Sequence, residues 1–157
     1  MPNLFIMRHG EAANHYEDFN RPLTIKGSID VGRIGEELLQ FDLNKTLIIS
    51  STSVRTRETT SILLEKLQAY EITVFFEDKG YLATAEVWFK YLEGINVKEF
   101  NTCIIVGHNP GISQLVKNIT GETIYMTPAT CVKVNLLINE WNEIFAGVGN
   151  VNQVCTP

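Results

Sequence analysis

The stretch Leu4-Phe5-Ile6-Met7-Arg8-His9-Gly10 decides how the rest of this chain is interpreted. Its first four residues are apolar, as in a strand that is buried on both faces of a parallel sheet. The charged Arg8 and the polar His9 follow at once, where such a strand ends. In open α/β sheets, ligands collect beyond the carboxyl ends of the strands. The sequence therefore predicts a strand that carries Arg8 and His9 to a ligand site.

Three further short apolar runs have the same character, and segments with helical spacing separate them. These runs are Leu47–Ile49, Ile72–Phe76 and Cys103–Val106. The alternation predicts an α/β fold, a three-layer sandwich with a mostly parallel central sheet flanked by helices. Val132, Val134 and Leu136 then alternate with polar residues, which predicts a closing antiparallel C-terminal hairpin that includes Trp141 and Phe145.

We expect residues 1–157 to form a single domain, because this length allows a core that needs no disulfides or metal. The best-defined helix follows the fourth apolar run, with Asn109 as its N-cap, Pro110 in its first turn and Gly121 at its end. The last residues, 150–157, are expected to fray.

Composition argues against several classes of function. Thirteen Lys and Arg against eighteen Asp and Glu give a net charge of -5 without a basic run, so nucleic acid is not an expected partner. The N-terminal apolar stretch is too short for a signal peptide or a membrane span, and no membrane partner is expected. Three widely spaced cysteines without a CxxC pair suggest neither a disulfide framework nor a zinc site, and they fit a reducing cytoplasm.

Two more polar clusters follow predicted strands, as Arg8 and His9 do. They are Ser50–Arg57, after the second run, and Gly107–Gly111, after the fourth. The carboxyl ends of neighbouring parallel strands meet at one edge of a sheet, where helix N-termini favour anions. We therefore expect the three clusters to lie together and to bind an anion.

Each residue type in these clusters suits a phosphoryl group. Arg8 and Arg55 can grip phosphate oxygens through a planar fork that stays charged. A neutral imidazole at His9, with an unperturbed pKa of about 6.5, can attack phosphorus and become transiently phosphorylated. A protonated His108 would stabilise charge in the transition state. Gly10 lets the backbone pass close to the ligand.

The order of these motifs resembles that of the histidine phosphatase superfamily, which includes phosphoglycerate mutases and acid phosphatases, and within it that of branch 1. The matching segments are Phe5–Ala12, Arg21–Thr24 with Gly27, Ser51–Thr59 and Val106–Pro110. Thr52 stands where this family usually has Pro. The resemblance extends from about residue 3 to about residue 138 and is greatest to the small SixA-type phosphohistidine phosphatases. It implies a phosphoglycerate mutase-like fold, and catalytic roles for His9, Arg8, Arg55 and His108.

One departure from the family concerns the leaving group. Many phosphomonoesterases of the superfamily carry a Glu after the third strand that protonates the leaving oxygen, whereas this chain has Gly80–Thr84 near that place. Glu77, Asp78 and Glu86 lie nearby as possible general acids. An alkoxide needs such an acid, but phosphohistidine can lose a neutral imidazole when its other ring nitrogen is protonated. The lack of a clear general acid at this position therefore favours phosphohistidine as substrate.

The spacing of the motifs favours a protein substrate. Arg55 follows Arg8 by 47 positions and His108 follows Arg55 by 53, which leaves little chain for a lid over the site. An open site can admit a histidine displayed on a partner protein. We therefore expect a phosphatase that acts on a phosphohistidine protein and uses no cofactor.

Several alternatives remain open at this stage. The chain could be a small-molecule phosphomonoesterase, or a non-catalytic module that binds phosphoryl groups. Arg21 could contact phosphate or serve a salt bridge, and Ser51 could bind phosphate or cap a helix. Glu11 and His15 follow the nucleophile in a loop where exposed polar residues are ordinary. A zinc site is disfavoured, because two arginines in one pocket would repel a cation.

Overall fold

A six-stranded sheet forms the centre of the computed structural model, which describes residues 1–157. Its strands are β1 (Asn3–Arg8), β2 (Thr46–Ser51), β3 (Ile72–Glu77), β4 (Thr102–Gly107), β5 (Cys131–Leu136) and β6 (Gly149–Cys155). The helices are α1 (Ile25–Leu38), α2 (Val54–Lys66), α3 (Ala85–Glu93) and α4 (Gly111–Thr120). Each of the four apolar runs therefore lies within a strand, as predicted.

The strand order is β3-β2-β4-β1-β5-β6. The first four strands in this order are parallel, while β5 pairs antiparallel with β1 and β6 antiparallel with β5. This arrangement confirms the predicted mostly parallel sheet with an antiparallel C-terminal hairpin.

The two faces of β1 bury different residues. Leu4 and Ile6 belong to a core cluster with side chains of α3 and α4, and Phe5 and Met7 belong to a second cluster with side chains of α1 and α2. Because successive side chains of a strand point to opposite faces, a continuous apolar run can serve both clusters. Helices therefore cover both faces, as in the predicted three-layer sandwich.

Pairing of β1 with β4 fixes the geometry of the site. The two strands run parallel and in register, with Arg8 opposite Gly107. His9 and His108 are the next residues along each chain, and so they leave the sheet side by side. On the other side of β4, β2 ends at Ser51 and the chain turns directly into α2.

The C-terminal prediction was wrong in its second half. Trp141 lies in a short 3-10 turn and Phe145 in an exposed loop, whereas the partner strand of β5 is Gly149–Cys155. Residues 150–155 are therefore paired rather than frayed. The strand is an edge strand in which Asn150, Asn152 and Val154 are exposed while Gln153 is half-buried, so its polar and apolar residues do not follow a clear period-2 pattern.

The start of α4 also differs from the prediction. Pro110 is the N-cap and Gly111 the first helical residue, while Asn109 accepts a hydrogen bond from the Ser113 hydroxyl and donates one to the Met126 carbonyl. Gly121 ends the helix in the left-handed conformation, as predicted.

The three cysteines are free and buried. None of the helices is long and apolar enough to cross a membrane.

Candidate active site

A cavity of about 320 Å³ lies at the carboxyl ends of β1 and β4. Only two of its eleven lining residues are hydrophobic. The lining consists of Arg8, His9, Glu11, Ala12, Asp18, Arg21, Arg55, Leu82, His108, Asn109 and Pro128. The three polar clusters of the sequence thus meet in one place, and four of the predicted site residues, Arg8, His9, Arg55 and His108, share this cavity.

Hydrogen bonds fix the tautomer of His9. Its Nδ1 lies 2.7 Å from the carbonyl oxygen of Gly10, and because a carbonyl can only accept, Nδ1 carries the proton. Nε2 therefore holds the lone pair, and it accepts a hydrogen bond from Arg55 Nε at 3.2 Å. Burial, and to a lesser extent the charges of Arg55 and Arg8, lower the pKa of His9 to about 4. His9 is thus a neutral imidazole at pH 7, with its nucleophilic nitrogen in the cavity.

His108 is held by two partners of different kinds. Arg55 donates from one terminal nitrogen to Nδ1 at 3.1 Å, so the proton of the neutral ring lies on Nε2 and is donated to Ser51 Oγ at 2.8 Å. Burial, followed by the neighbouring His9 and Arg55, lowers the pKa of His108 to about 3. His108 is therefore a neutral imidazole at pH 7, because burial and the neighbouring His9 and Arg55 disfavour a positive charge on the ring; the protonated form was expected beside a bound phosphoryl group.

Ser51 contributes through His108. Its hydroxyl is fully buried, absent from the cavity lining and bonded to His108 Nε2. The N-cap of α2 is Ser53 instead. Neither predicted role of Ser51, a helix cap or a direct phosphate contact, is the one that the structure gives it.

Arg8 has more N–H donors without a hydrogen-bond partner than Arg21 or Arg55. One terminal nitrogen donates to the Met126 carbonyl at 3.0 Å, and Nε is buried without any acceptor. An arginine has five N–H donors, so most of those of Arg8 remain for a ligand. Burial lowers the pKa of Arg8, yet a guanidinium stays charged.

Gly10 does not serve the ligand as predicted. Its N–H donates to Thr59 Oγ1 at 3.1 Å, and a Cβ at this position would lie 2.7 Å from Val31 Cγ2 and 2.9 Å from the Gly27 carbonyl oxygen. Gly10 is absent from the cavity lining. The small residue is required because the loop after His9 packs directly against α1.

Arg21 lines the cavity, but its donors are engaged. It donates to the carbonyl oxygens of Ala12 and Ala13, and it forms an ion pair with Asp18 at 3.3 Å. Of the two roles left open by the sequence, the structure provides contacts for the salt bridge.

None of the three possible general acids reaches the cavity. Glu77 and Asp78 line grooves beside α3, and Glu86 lines another beside the start of α4. β3 is the outer strand of the sheet, and β2 and β4 separate it from β1; of the segment that follows β3, Leu82 lines the cavity, whereas these three carboxylates do not. No acid was expected in register after the third strand. In the structure, none of these three carboxylates fills that position.

Two other carboxylates line the cavity, and both are engaged elsewhere. Glu11 Oε2 accepts a hydrogen bond from the Thr24 hydroxyl at 2.7 Å. Asp18 accepts hydrogen bonds from Tyr81, Arg55 and Arg21, and these lower its pKa to about 2, so that it is ionised at pH 7.

Sequence reasoning missed Asp18 and Tyr81 as site residues. Asp18 lies in a polar loop without a recognisable pattern, and only its position three residues before Arg21 ties it to a motif. Tyr81 packs edge-on against His108, with ring centroids 5.4 Å apart. Long-range packing brings Asp18 into the cavity lining and Tyr81 against Asp18 and His108, which local spacing does not reveal.

His15 lies outside this cavity, where it stacks on Tyr16. No group of three or more His, Cys, Asp and Glu side chains is arranged to hold a metal ion.

Comparison with known families agrees with the site. The sequence profile of the histidine phosphatase superfamily (branch 1) matches residues 4–78, which include Arg8, His9 and Arg55. The chain is therefore similar to this superfamily over 75 of its 157 residues, as the order of the motifs predicts.

Two relatives are similar to this chain over most of its length. An uncharacterized chloroplastic protein of Arabidopsis thaliana is 25% identical over 153 residues, which cover 91% of this chain and 70% of the relative. An uncharacterized protein of Picosynechococcus sp. is 29% identical over 126 residues, covering 76% of this chain and 74% of the relative.

Solved structures share the fold of this chain. A candidate phosphohistidine phosphatase SixA from Nakamurella multipartitia superposes with a TM-score of 0.88 at 19% identity and covers 99% of this chain and 96% of that one. The protein histidine phosphatase SixA in complex with tungstate superposes with a TM-score of 0.78 at 22% identity, covering 98% and 96%. The SixA-like fold is therefore confirmed.

The lowered pKa values of the two histidines predict how stability depends on pH. Above pH 6.5 both imidazoles are neutral whether the chain is folded or not. As pH falls from 6.5 to 4, the unfolded chain takes up protons that the folded site excludes, so the free energy of unfolding should decrease by up to about 1.4 kcal/mol per pH unit for each histidine. Urea unfolding between pH 7 and pH 4.5 measures this slope.

The variant His9→Gln provides the control, because it removes one of the two contributions while it keeps a polar side chain. Its stability should fall less steeply than that of the wild type over the same pH range. Equal slopes for the two proteins would contradict the account of a buried neutral His9.

Proposed function

We propose that this protein is a histidine phosphatase that hydrolyses phosphohistidine on a partner protein, with His9 as the nucleophile. One observation carries the proposal: a neutral His9 presents Nε2 beside Arg55 and His108 in a cavity whose carboxylates are engaged elsewhere. Such a site has a nucleophile and cationic stabilisation, but no carboxylate without a hydrogen-bond partner that could protonate a basic leaving group.

The first step is transfer of the phosphoryl group to His9. The Nε2 lone pair forms a bond to phosphorus as the bond from phosphorus to the substrate nitrogen breaks, and that nitrogen keeps the electron pair. The substrate leaves as neutral imidazole if its other ring nitrogen holds a proton. His9 needs no general base, because its proton stays on Nδ1, where it is donated to the Gly10 carbonyl, and the attacking Nε2 carries none.

The second step is attack of water on the phosphorylated His9. The bond from phosphorus to Nε2 breaks, the electron pair returns to Nε2, and the water proton leaves with phosphate or solvent. Arg8, with its buried and unpartnered Nε, is the group best placed to neutralise the phosphoryl oxygens in both steps. A phosphoryl dianion also favours protonation of His108, which would then donate a hydrogen bond to it.

Two features support a protein-bound substrate. The cavity is small and polar, which suits a phosphoryl group more than a large metabolite. The solved SixA structures with this fold are described as phosphohistidine phosphatases. The free buried cysteines are compatible with the reducing, cytoplasmic location that we propose.

Substrate preference tests the proposal. We expect kcat/KM for a peptide carrying phosphohistidine to exceed that for the same peptide carrying phosphoserine by at least about 100-fold, since only the second needs a general acid. Release of inorganic phosphate, corrected for spontaneous hydrolysis, measures both. Similar values would support a phosphomonoesterase instead, and binding of phosphate without turnover of either peptide would indicate a non-catalytic module.

Arginine variants test which cation binds the phosphoryl group. Arg8→Ala should lower kcat/KM for phosphohistidine by about 100- to 1,000-fold, the usual effect of removing one preorganised donor. The matched control is Arg57→Ala, since Arg57 is exposed, lies over the Phe76 ring and is absent from the cavity. Equal losses in the two variants would show that general positive charge, rather than Arg8, is responsible.

A further inference from the structure

Arg55 is almost fully occupied in this site. Its Nε donates to His9 Nε2, one terminal nitrogen donates to the backbone carbonyl of Asp18 at 2.8 Å, and the other donates to the Asp18 carboxylate at 3.1 Å and to His108. Four of its five N–H donors are therefore used. The side chain is 3% exposed, so Asp18 provides the charge that balances this buried guanidinium.

The bond from Arg55 to His9 conflicts with nucleophilic attack. The lone pair on Nε2 cannot accept the Arg55 proton and form a bond to phosphorus at the same time. Arg55 Nε must therefore release Nε2 when a phosphoryl group arrives, and a phosphoryl oxygen is the acceptor that arrives with it. Both bonds to Asp18 involve other nitrogens of the guanidinium, so they can persist during this exchange.

Asp18 is in turn held by Tyr81. The Tyr81 hydroxyl donates to the same carboxylate oxygen, Oδ2, that accepts from Arg55. The Tyr81 ring is fixed edge-on between Phe19 and His108. Because the Asp18 side chain is 47% exposed, these contacts are what keep it at Arg55 rather than in solvent.

We propose that Asp18 is a positioning residue, which anchors the Arg55 guanidinium while its Nε–H passes from His9 Nε2 to the phosphoryl group, and that Tyr81 fixes Asp18 for this task. The inference rests on the proposed function, because it assigns the exchange to phosphoryl transfer by His9. Asp18 acts through Arg55 and does not exchange a proton with the substrate. Its ionised state at pH 7 agrees with that role.

The variant Asp18→Asn tests the anchor. It keeps the backbone carbonyl and the size of the side chain, but it weakens the contact with Arg55 and cannot accept from Tyr81 through its amide nitrogen. We expect kcat to fall roughly 10- to 100-fold, as for a small misplacement of a catalytic group, and KM to change by less than about 3-fold. Tyr81→Phe should lower kcat by a smaller factor, roughly 3- to 10-fold.

Two inhibitors separate positioning from a general structural defect. Vanadate can adopt a five-coordinate geometry like that of the transition state, whereas phosphate resembles the product. Asp18→Asn should weaken inhibition by vanadate by a factor similar to the loss in kcat, and inhibition by phosphate by much less. Glu17→Gln and Tyr16→Phe, at exposed neighbouring positions, are the matched controls and should retain wild-type values.

A third readout does not depend on turnover. In ¹H–¹⁵N spectra of the ligand-free protein, the Arg55 Nε–H signal should be protected from solvent exchange in the wild type and lose that protection in Asp18→Asn. If the wild type hydrolyses neither peptide, the proposed function fails. The Arg55 Nε–H signal and the binding of vanadate then still test whether Asp18 anchors Arg55. The inference would be overturned if Asp18→Asn kept the wild-type kcat, the wild-type inhibition by vanadate and the protection of the Arg55 Nε–H. It would also be overturned if the variant weakened inhibition by vanadate and inhibition by phosphate equally.

Discussion

The parallel pairing of β1 with β4 is the constraint on which the rest of the site depends. It places Arg8 opposite Gly107, so that His9 and His108 follow neighbouring strand ends with ring centroids 5.2 Å apart. A shift of one residue in this register would exchange the faces of every side chain in β1 and separate the two rings. The apolar residues of β1 serve two cores at once, which buries the strand on both faces.

Burial of positive charge then determines the chemistry. Burial of the two histidine rings, and after it the charge of Arg55 between them, lowers the pKa of each ring and leaves His9 Nε2 unprotonated. A buried guanidinium is costly unless it is paired, and Asp18 provides that pair from the loop before α1. The same arrangement that keeps the nucleophile neutral therefore requires a carboxylate that cannot act as a general acid.

Much of this could be predicted because strand ends and residue chemistry are local signals. The four apolar runs located the parallel strands, and Arg8, His9, Arg55 and His108 meet where their strands end. Signals that depend on packing could not be predicted. Gly10 is small because α1 approaches it, and Asp18 and Tyr81 reach the cavity through contacts between distant segments. Strand β6 was missed because an exposed edge strand has little apolar pattern.

The central claim is that Nε2 of His9 becomes phosphorylated during turnover. The direct measurement is a rapid quench of the protein with a ³²P-labelled phosphohistidine substrate, followed by mapping of the acid-labile, alkali-stable label. The account predicts one labelled residue, His9, with phosphorus bonded to Nε2, because Nδ1 is committed to the Gly10 carbonyl. Label on Nδ1, on His108 or on any other residue, or turnover without a labelled protein, would contradict it.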